Sequence, residues 1–342
     1  MVSLFTIQEN SQIFLNFKTY NLNWCGNIRD LRLLLEQKPS VLQKERHNTY
    51  FYIKNERKIS ISYSEILFDS KHAQLQWVLR NGNEYCIVKR LKNVASNSLY
   101  RESILQILVY NCLAHFNLKK IVPKVFDIFE HHGQIVFTME AFPKAMLFSD
   151  YLLENFGKNS SCFIEILAQI ALYMIPLQNV LFFNHRDLKS DNILIMEEPT
   201  QHVLLFRGRQ YTVRCGARAL LVDFGFGCLG FEMGGVSLLN AGSVLPSIDA
   251  CPKEGRDIFQ ILTSLYSFEK FRENLSPGLK ALFDKWLTIN GRHYSEKTVQ
   301  NAENEEWIYS VTSGSFFSAP GCSPSTVLAD IAEYYPEIVA VV

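Results

Sequence analysis

One stretch of the chain constrains its fold more than any other. His185-Arg186-Asp187-Leu188-Lys189-Ser190-Asp191-Asn192 follows a long apolar helical pattern and runs straight into the apolar strand Ile193-Leu194-Ile195-Met196. A second apolar strand, Leu221-Val222, ends in Asp223-Phe224-Gly225, 31 residues beyond Asn192. The tripeptide alone is a weak signal, but the two segments in this order leave little room for coincidence. Whatever polyanion such groups serve must be bound locally, because 34 Lys+Arg balance 34 Asp+Glu and the surface carries no global field for nucleic acid or anionic lipid. The apolar fraction of 48% and charged fraction of 20% belong to an ordinary globular protein. At 342 residues the chain can bury roughly three quarters of its unfolded surface, enough for one large domain or two lobes.

Patterning divides the chain. Residues 1–55 hold one helical pattern, NIRDLRLLLEQKPSVLQ, stopped at Pro39. From Lys58, KISISY, AQLQWVLR and EYCIVKRL predict strands, with Asn81-Gly82-Asn83 as a tight hairpin turn. SNSLYRESILQILVYNCLAHF predicts a helix capped by Ser96 or Ser98, and two more strands follow, joined through His131-His132-Gly133. Beyond about residue 145 the apolar spacing is mainly helical. A small strand-rich lobe, a connector at 140–144 and a larger helical lobe are therefore expected. Eight cysteines spread singly predict free thiols in a reducing compartment. No basic n-region precedes an apolar stretch at the N-terminus. The most apolar window, 164–183, carries Glu165, Gln169 and Pro176 and reads as a buried core helix rather than a membrane span.

The two polar segments match the catalytic loop H-R-D-L-x-x-x-N and the D-F-G of protein kinases, and the chain resembles that superfamily over roughly residues 56–290. The resemblance implies an α+β, bilobal protein-kinase fold: an extension of unclear role at 1–55, a small β-rich N-lobe at 56–141, and a larger helical C-lobe at 142–342 with an inserted hairpin near 200–220. It also implies ATP as phosphoryl donor and Mg²⁺ as metal. Asp187 would take or orient the acceptor hydroxyl's proton, and Lys189 would steady the γ-phosphate as in serine/threonine kinases. Asn192 and Asp223 would hold Mg²⁺ through hard oxygens. His185 and Arg186 would support the loop, Arg186 by bracing the activation segment.

Lys89, in Cys86-Ile87-Val88-Lys89, fits the phosphate-binding lysine, and Glu102 offers the one carboxylate in 95–116 to pair with it. The alternatives are a solvated strand-end lysine and a solvated helix glutamate. Met139 would stand at the gatekeeper position, with the backbone of Glu140 and Phe142 meeting the adenine edge. Asp257 resembles the buried aspartate that supports the catalytic loop; the alternative is an ordinary helix-start aspartate.

Two departures are evident. The expected phosphate-covering loop, 63–73, has no glycine, leaving Ser64 and Ser70 to cradle the nucleotide or a looser grip. The long segment between Asn192 and Asp223 predicts an added hairpin turning at Arg207-Gly208-Arg209, and no A-P-E tripeptide closes the activation segment. Both traits resemble haspin-like kinases, and compact divergent kinases of this sort occur in large DNA viruses. His131-His132 predicts a turn rather than a zinc site. The stretch from about residue 290 has no assignment beyond an ordered loop or tail. The resemblance implies a soluble intracellular serine/threonine kinase (cytoplasm or nucleus; host cytoplasm or virion if viral) acting on a protein hydroxyl, without nucleic-acid or membrane partners. A pseudokinase scaffold and a small-molecule kinase are the rivals.

Overall fold

A computed structural model describes residues 39–54, 57–70, 72–92, 98–155, 162–230, 239–242, 249–302, 304 and 306–342. The helical pattern at 27–38 and the Ser96 cap lie outside the described residues. The described residues form two compact units, those up to 111 with 123–143, and 112–122 with those from 144 onward.

The first unit is built on one eight-stranded sheet. Its strands are β1 (Ser40–Val41), β2 (Gln43–Arg46), β3 (Thr49–Lys54), β4 (Arg57–Asp69), β5 (Ala73–Arg80), β6 (Glu84–Leu91), β7 (Val125–His131) and β8 (Gln134–Glu140). They lie in the order β1-β7-β8-β6-β5-β4-β3-β2, and helix α1 (Ser98–His115) connects β6 to β7. The turn between β5 and β6 needs positive φ at both central residues, and Asn81 (51°) and Gly82 (75°) supply it. Alternation is clean in β7, where every second residue is buried.

The sheet starts earlier than the expected boundary at residue 56. Leu42 and Tyr52 are buried in the same core as Ile61, Val78, Val88, Phe129 and Val136, so 40–54 belong to this unit and are no separate extension. The 63–73 segment also departs from expectation. β4 runs on to Asp69 as a bulged strand paired with β5, and the Ser70 hydroxyl closes the turn by accepting from the Ala73 amide at 2.9 Å and donating to its carbonyl at 3.0 Å. That hydroxyl is thus engaged in closing the turn.

The second unit follows with β9 (Met146–Leu147), α2 (Phe148–Asn155), α3 (Cys162–Val180), β10 (Ile193–Met196), β11 (Thr200–Phe206), β12 (Arg209–Cys215), β13 (Arg218–Leu221), β14 (Cys228–Leu229) and β15 (Leu239–Asn240). Then come α4 (Arg256–Ser267), α5 (Glu269–Asn274), α6 (Pro277–Trp286), β16 (Thr288–Ile289), β17 (Arg292–His293), α7 (Tyr294–Gln300), α8 (Glu306–Ser313), α9 (Pro324–Tyr334) and β18 (Val339–Val341). Helix α3 is long and apolar enough to cross a membrane, but 78% of its most apolar window is buried inside the unit, as a core helix requires. Its fully buried Gln169 binds the Ala217 carbonyl at 2.8 Å and the Ala219 amide at 3.0 Å, fixing β13 to the helix.

β11 and β12 form the predicted hairpin, with Arg207 and Gly208 at positive φ in its turn. The chain past residue 290 proves to be structured. Among the described residues it supplies three α-helices, and β18 pairs with β12, joining residues 339–341 to the insertion. The expectation of uniformly free thiols fails at Cys228 and Cys251, which form a disulfide, and the compartment inferred from free thiols loses that support. The free cysteines among the described residues, Cys86, Cys112, Cys162, Cys215 and Cys322, are all buried.

Candidate functional site

In the first unit, strand β6 carries Lys89 and helix α1 carries Glu102. Lys89 Nζ donates to Glu102 Oε1 at 2.6 Å, with side chains 7% and 4% exposed, so neither is a solvated surface residue. Burying such a pair is costly unless both partners stay together. Met139 is paired with Ile87 across β8 and β6, and its sulfur lies 3.8 Å from Gln106 Nε2. The Glu140 amide donates to the Lys124 carbonyl at 2.8 Å, so it is committed to the sheet, while Phe142 lies beyond the end of β8 and outside the ladder. His131, the first of the histidine pair, is buried against Tyr50 and Tyr63, and burial lowers its pKa to about 4. His132 and Gly133 form the turn. Among the described residues no cluster of three or more metal-binding side chains occurs.

In the second unit, the residues of 185–192 and 223–225 converge. Asn192 Nδ2 donates to the Asp187 backbone oxygen at 2.7 Å and to its Oδ2 at 2.9 Å, fixing the carboxylate. Lys189 Nζ lies 3.6 Å from Asp187 Oδ1. The Asn192 carbonyl accepts from the Val222 amide at 3.1 Å, which ties the loop to the residue before Asp223. Asp223 is exposed with φ of 61°, and its Oδ1 accepts from the Gly225 amide at 3.2 Å. His185 Nε2 donates to the Val222 carbonyl at 3.0 Å, and its ring packs on Phe224, 5.1 Å between centroids.

Asp257 supports the loop from below: Oδ1 accepts from the Arg186 amide and Oδ2 from Asn184 Nδ2, both at 2.9 Å. It is fully buried, unlike a helix-start aspartate kept for the dipole alone. Its helix is preceded by Gly255, where a Cβ would stand 1.9 Å from the Ala319 carbonyl oxygen. Arg186, 1% exposed, reaches the segment after D-F-G: its guanidinium donates to Asn240 Oδ1, the Gly242 carbonyl and the Asp249 carbonyl. Burial lowers its pKa to about 10.

Two groups here escaped sequence reasoning. Asp249 faces three cations, with Arg256 at 2.5 Å, Lys253 at 3.1 Å and Arg186 at 3.5 Å. Tyr309, on α8, donates its hydroxyl proton to Asp187 Oδ1. Neither stands in a motif: Tyr309 meets Asp187 from 122 residues away, and Asp249, though close in sequence to Lys253 and Arg256, reaches Arg186 across 63 residues.

The residues suit Mg²⁺ as ligand. Asn192 spends its amide nitrogen on Asp187, which leaves its side-chain oxygen as the donor atom for a metal, and Asp223 adds an exposed carboxylate. Mg²⁺ is commonly held by one or two such groups together with substrate phosphates, without a dense protein cage.

A family model described as poxvirus serine/threonine protein kinase matches residues 100–230. The chain is 29% identical over 162 residues to "Probable kinase 098L" of Invertebrate iridescent virus 3, a match covering 43% of this chain and 30% of that protein's length. The structure is similar to the crystal structure of the BubR1 kinase domain, with a TM-score of 0.50 at 12% identity, covering 95% of this chain and 96% of that one. At that identity the likeness speaks for the fold alone.

Proposed function

We propose that this chain, a divergent protein kinase, is catalytically active and transfers the γ-phosphoryl of ATP to a serine or threonine hydroxyl of a protein. The observation that carries the reading is the buried Lys89–Glu102 pair. A fold kept only as a scaffold gains little from burying an ion pair, since well-packed apolar residues of similar volume would hold it as well or better.

The proposed roles follow from the chemistry of each group. Lys89, oriented by Glu102, neutralises nucleotide phosphate, with Met139, Glu140 and Phe142 on the adenine side. Mg²⁺, when bound through Asp223 and Asn192, offsets charge on the phosphate oxygens. Asp187, held by Asn192, accepts the proton of the attacking hydroxyl, and Lys189 beside it steadies the group in transfer. His185, Arg186 and Asp257 keep the loop backbone in place. A scaffold is the second reading, favoured by the glycine-free hairpin of β4 and β5.

The test is Asp187→Asn. With labelled ATP, Mg²⁺ and a general protein acceptor, the wild-type chain should yield phosphoserine or phosphothreonine, and the variant should lose about 10²–10⁴-fold in rate. Equal background labelling in both, with nucleotide still bound, would favour the scaffold. Labelling of a small-molecule hydroxyl in place of protein would change the substrate class.

A further inference from the structure

An acceptor hydroxyl must surrender its proton as the new oxygen–phosphorus bond forms. The second unit already holds one hydroxyl in that relation to Asp187, because Tyr309 Oη donates to Oδ1, the same oxygen that Lys189 Nζ approaches at 3.6 Å. Its ring lies 6.3 Å from that of Phe226, next to D-F-G. The helix that delivers it is clamped. Lys253 Nζ donates to the carbonyls of Thr312, Ser313 and Gly314 at 2.9, 2.7 and 3.0 Å, where a cation meets the negative end of the helix dipole. Gln260 Nε2 donates both to the Arg186 carbonyl and to Thr312 Oγ1, so one side chain holds the catalytic loop and α8 together. Tyr309 is only half-buried, and with Asp187, Lys189 and Asp191 it lines a cavity of about 180 Å³.

We propose that Tyr309 is an autophosphorylation site, modified within its own molecule, and that this modification opens the acceptor site to protein substrates. The proposal rests on the reading of Asp187 as the base. Tyr309 Oη attacks the γ-phosphorus of ATP, the bond from that phosphorus to the β–γ bridging oxygen breaks, and ADP leaves. The phenolic proton passes to Asp187 and then to solvent. Before the reaction the tyrosine occupies the oxygen that an incoming serine or threonine would need. Afterwards a phosphotyrosine with nearly two negative charges stands beside the carboxylates of Asp187 and Asp191, and like-charge repulsion drives it off the base. Delivery by a helix of the same chain, rather than by a substrate groove, reconciles a tyrosine acceptor with a loop lysine of the serine/threonine type.

The full chain is incubated with ATP and Mg²⁺ over a thirty-fold range of protein concentration, with and without a general acceptor protein, and phosphosites are mapped by mass spectrometry. Phosphotyrosine at Tyr309 should form at a rate independent of protein concentration and be absent from Asp187→Asn. The acceptor protein should be labelled after a lag that ends as Tyr309 fills. Tyr309→Phe should show no lag and an initial rate roughly tenfold or more above unmodified wild type, the occupancy one hydrogen bond to a charged group can sustain. A tyrosine phosphatase applied to the labelled wild type should restore the lag, a readout that needs no variant. Labelled acceptor with unmodified Tyr309 would overturn the proposal and leave the kinase reading standing. A Tyr309 rate that rises with protein concentration would also overturn it, and no label on any hydroxyl would overturn both.

Discussion

The two units each bury charge, and they do so differently. Lys89 and Glu102 are paired between neighbouring elements of the first unit. Asp249 in the second unit serves three cations at once, Arg186, Lys253 and Arg256, and much of the surplus positive charge is met by backbone carbonyls. The consequence shows in Arg186 and Lys253, whose pKa values are lowered chiefly by burial, with Asp249 opposing the shift. On the proposed reading, the pair meets a ligand that brings its own charge. The network instead holds polypeptide, joining the catalytic loop through Arg186, the segment after D-F-G through Asp249, and the end of α8 through Lys253.

The largest effect is expected at Asp249. Asp249→Ala leaves three buried cations, two of them guanidiniums that cannot escape by losing a proton. The expected cost is about 5 kcal/mol, the upper end for removing one partner of a buried ion cluster, read from urea unfolding. A cost below about 1 kcal/mol would mean that the carbonyls alone satisfy the cations.

Lys89→Met should cost less, about 3 kcal/mol, because the buried Glu102 carboxyl, once its lysine is removed, can take up a proton and become neutral. The folded variant then binds a proton that the unfolded chain releases, so its stability falls as pH rises and its deficit against wild type narrows as pH is lowered from 8 to 5. Adding Glu102→Leu should recover most of the lost stability while phosphoryl transfer stays abolished. Recovery of both would mean that the pair is not part of the reaction.

What was legible in the sequence follows the range of the contacts. Asp187 and Asn192 are five residues apart and their bond lies inside one motif, so the catalytic loop could be read directly. Lys89 and Glu102 sit on adjacent elements, where only one carboxylate competed for the role. Tyr309 meets Asp187 from 122 residues away, and nothing in Trp307-Ile308-Tyr309 distinguishes a partner of that carboxylate from an aromatic stripe packed in a core. Cys228 and Cys251 were equally hidden, since a spacing of 23 residues between single cysteines carries no pairing signal. Strand β2, Gln43–Arg46, is exposed at all four positions and so has no alternation to reveal it. Long-range bracing is set by the tertiary fold, and local patterning is blind to it.

The smallest effect concerns the hairpin of the first unit. If Ser70 only closes the turn, Ser70→Ala should lose about 1 kcal/mol, the net worth of a typical hydrogen bond, and leave the KM for ATP unchanged. The neighbouring ion pair of Asp69 with Lys92, at 2.5 Å and largely exposed, adds little to the turn, so the hydroxyl's contribution can be measured without a strong competing restraint. A rise in KM without a loss of stability would instead give Ser70 a phosphate to hold. That outcome would sharpen the contrast between the units, since the first would then recruit a neutral hydroxyl where the second commits three buried cations to holding its own backbone.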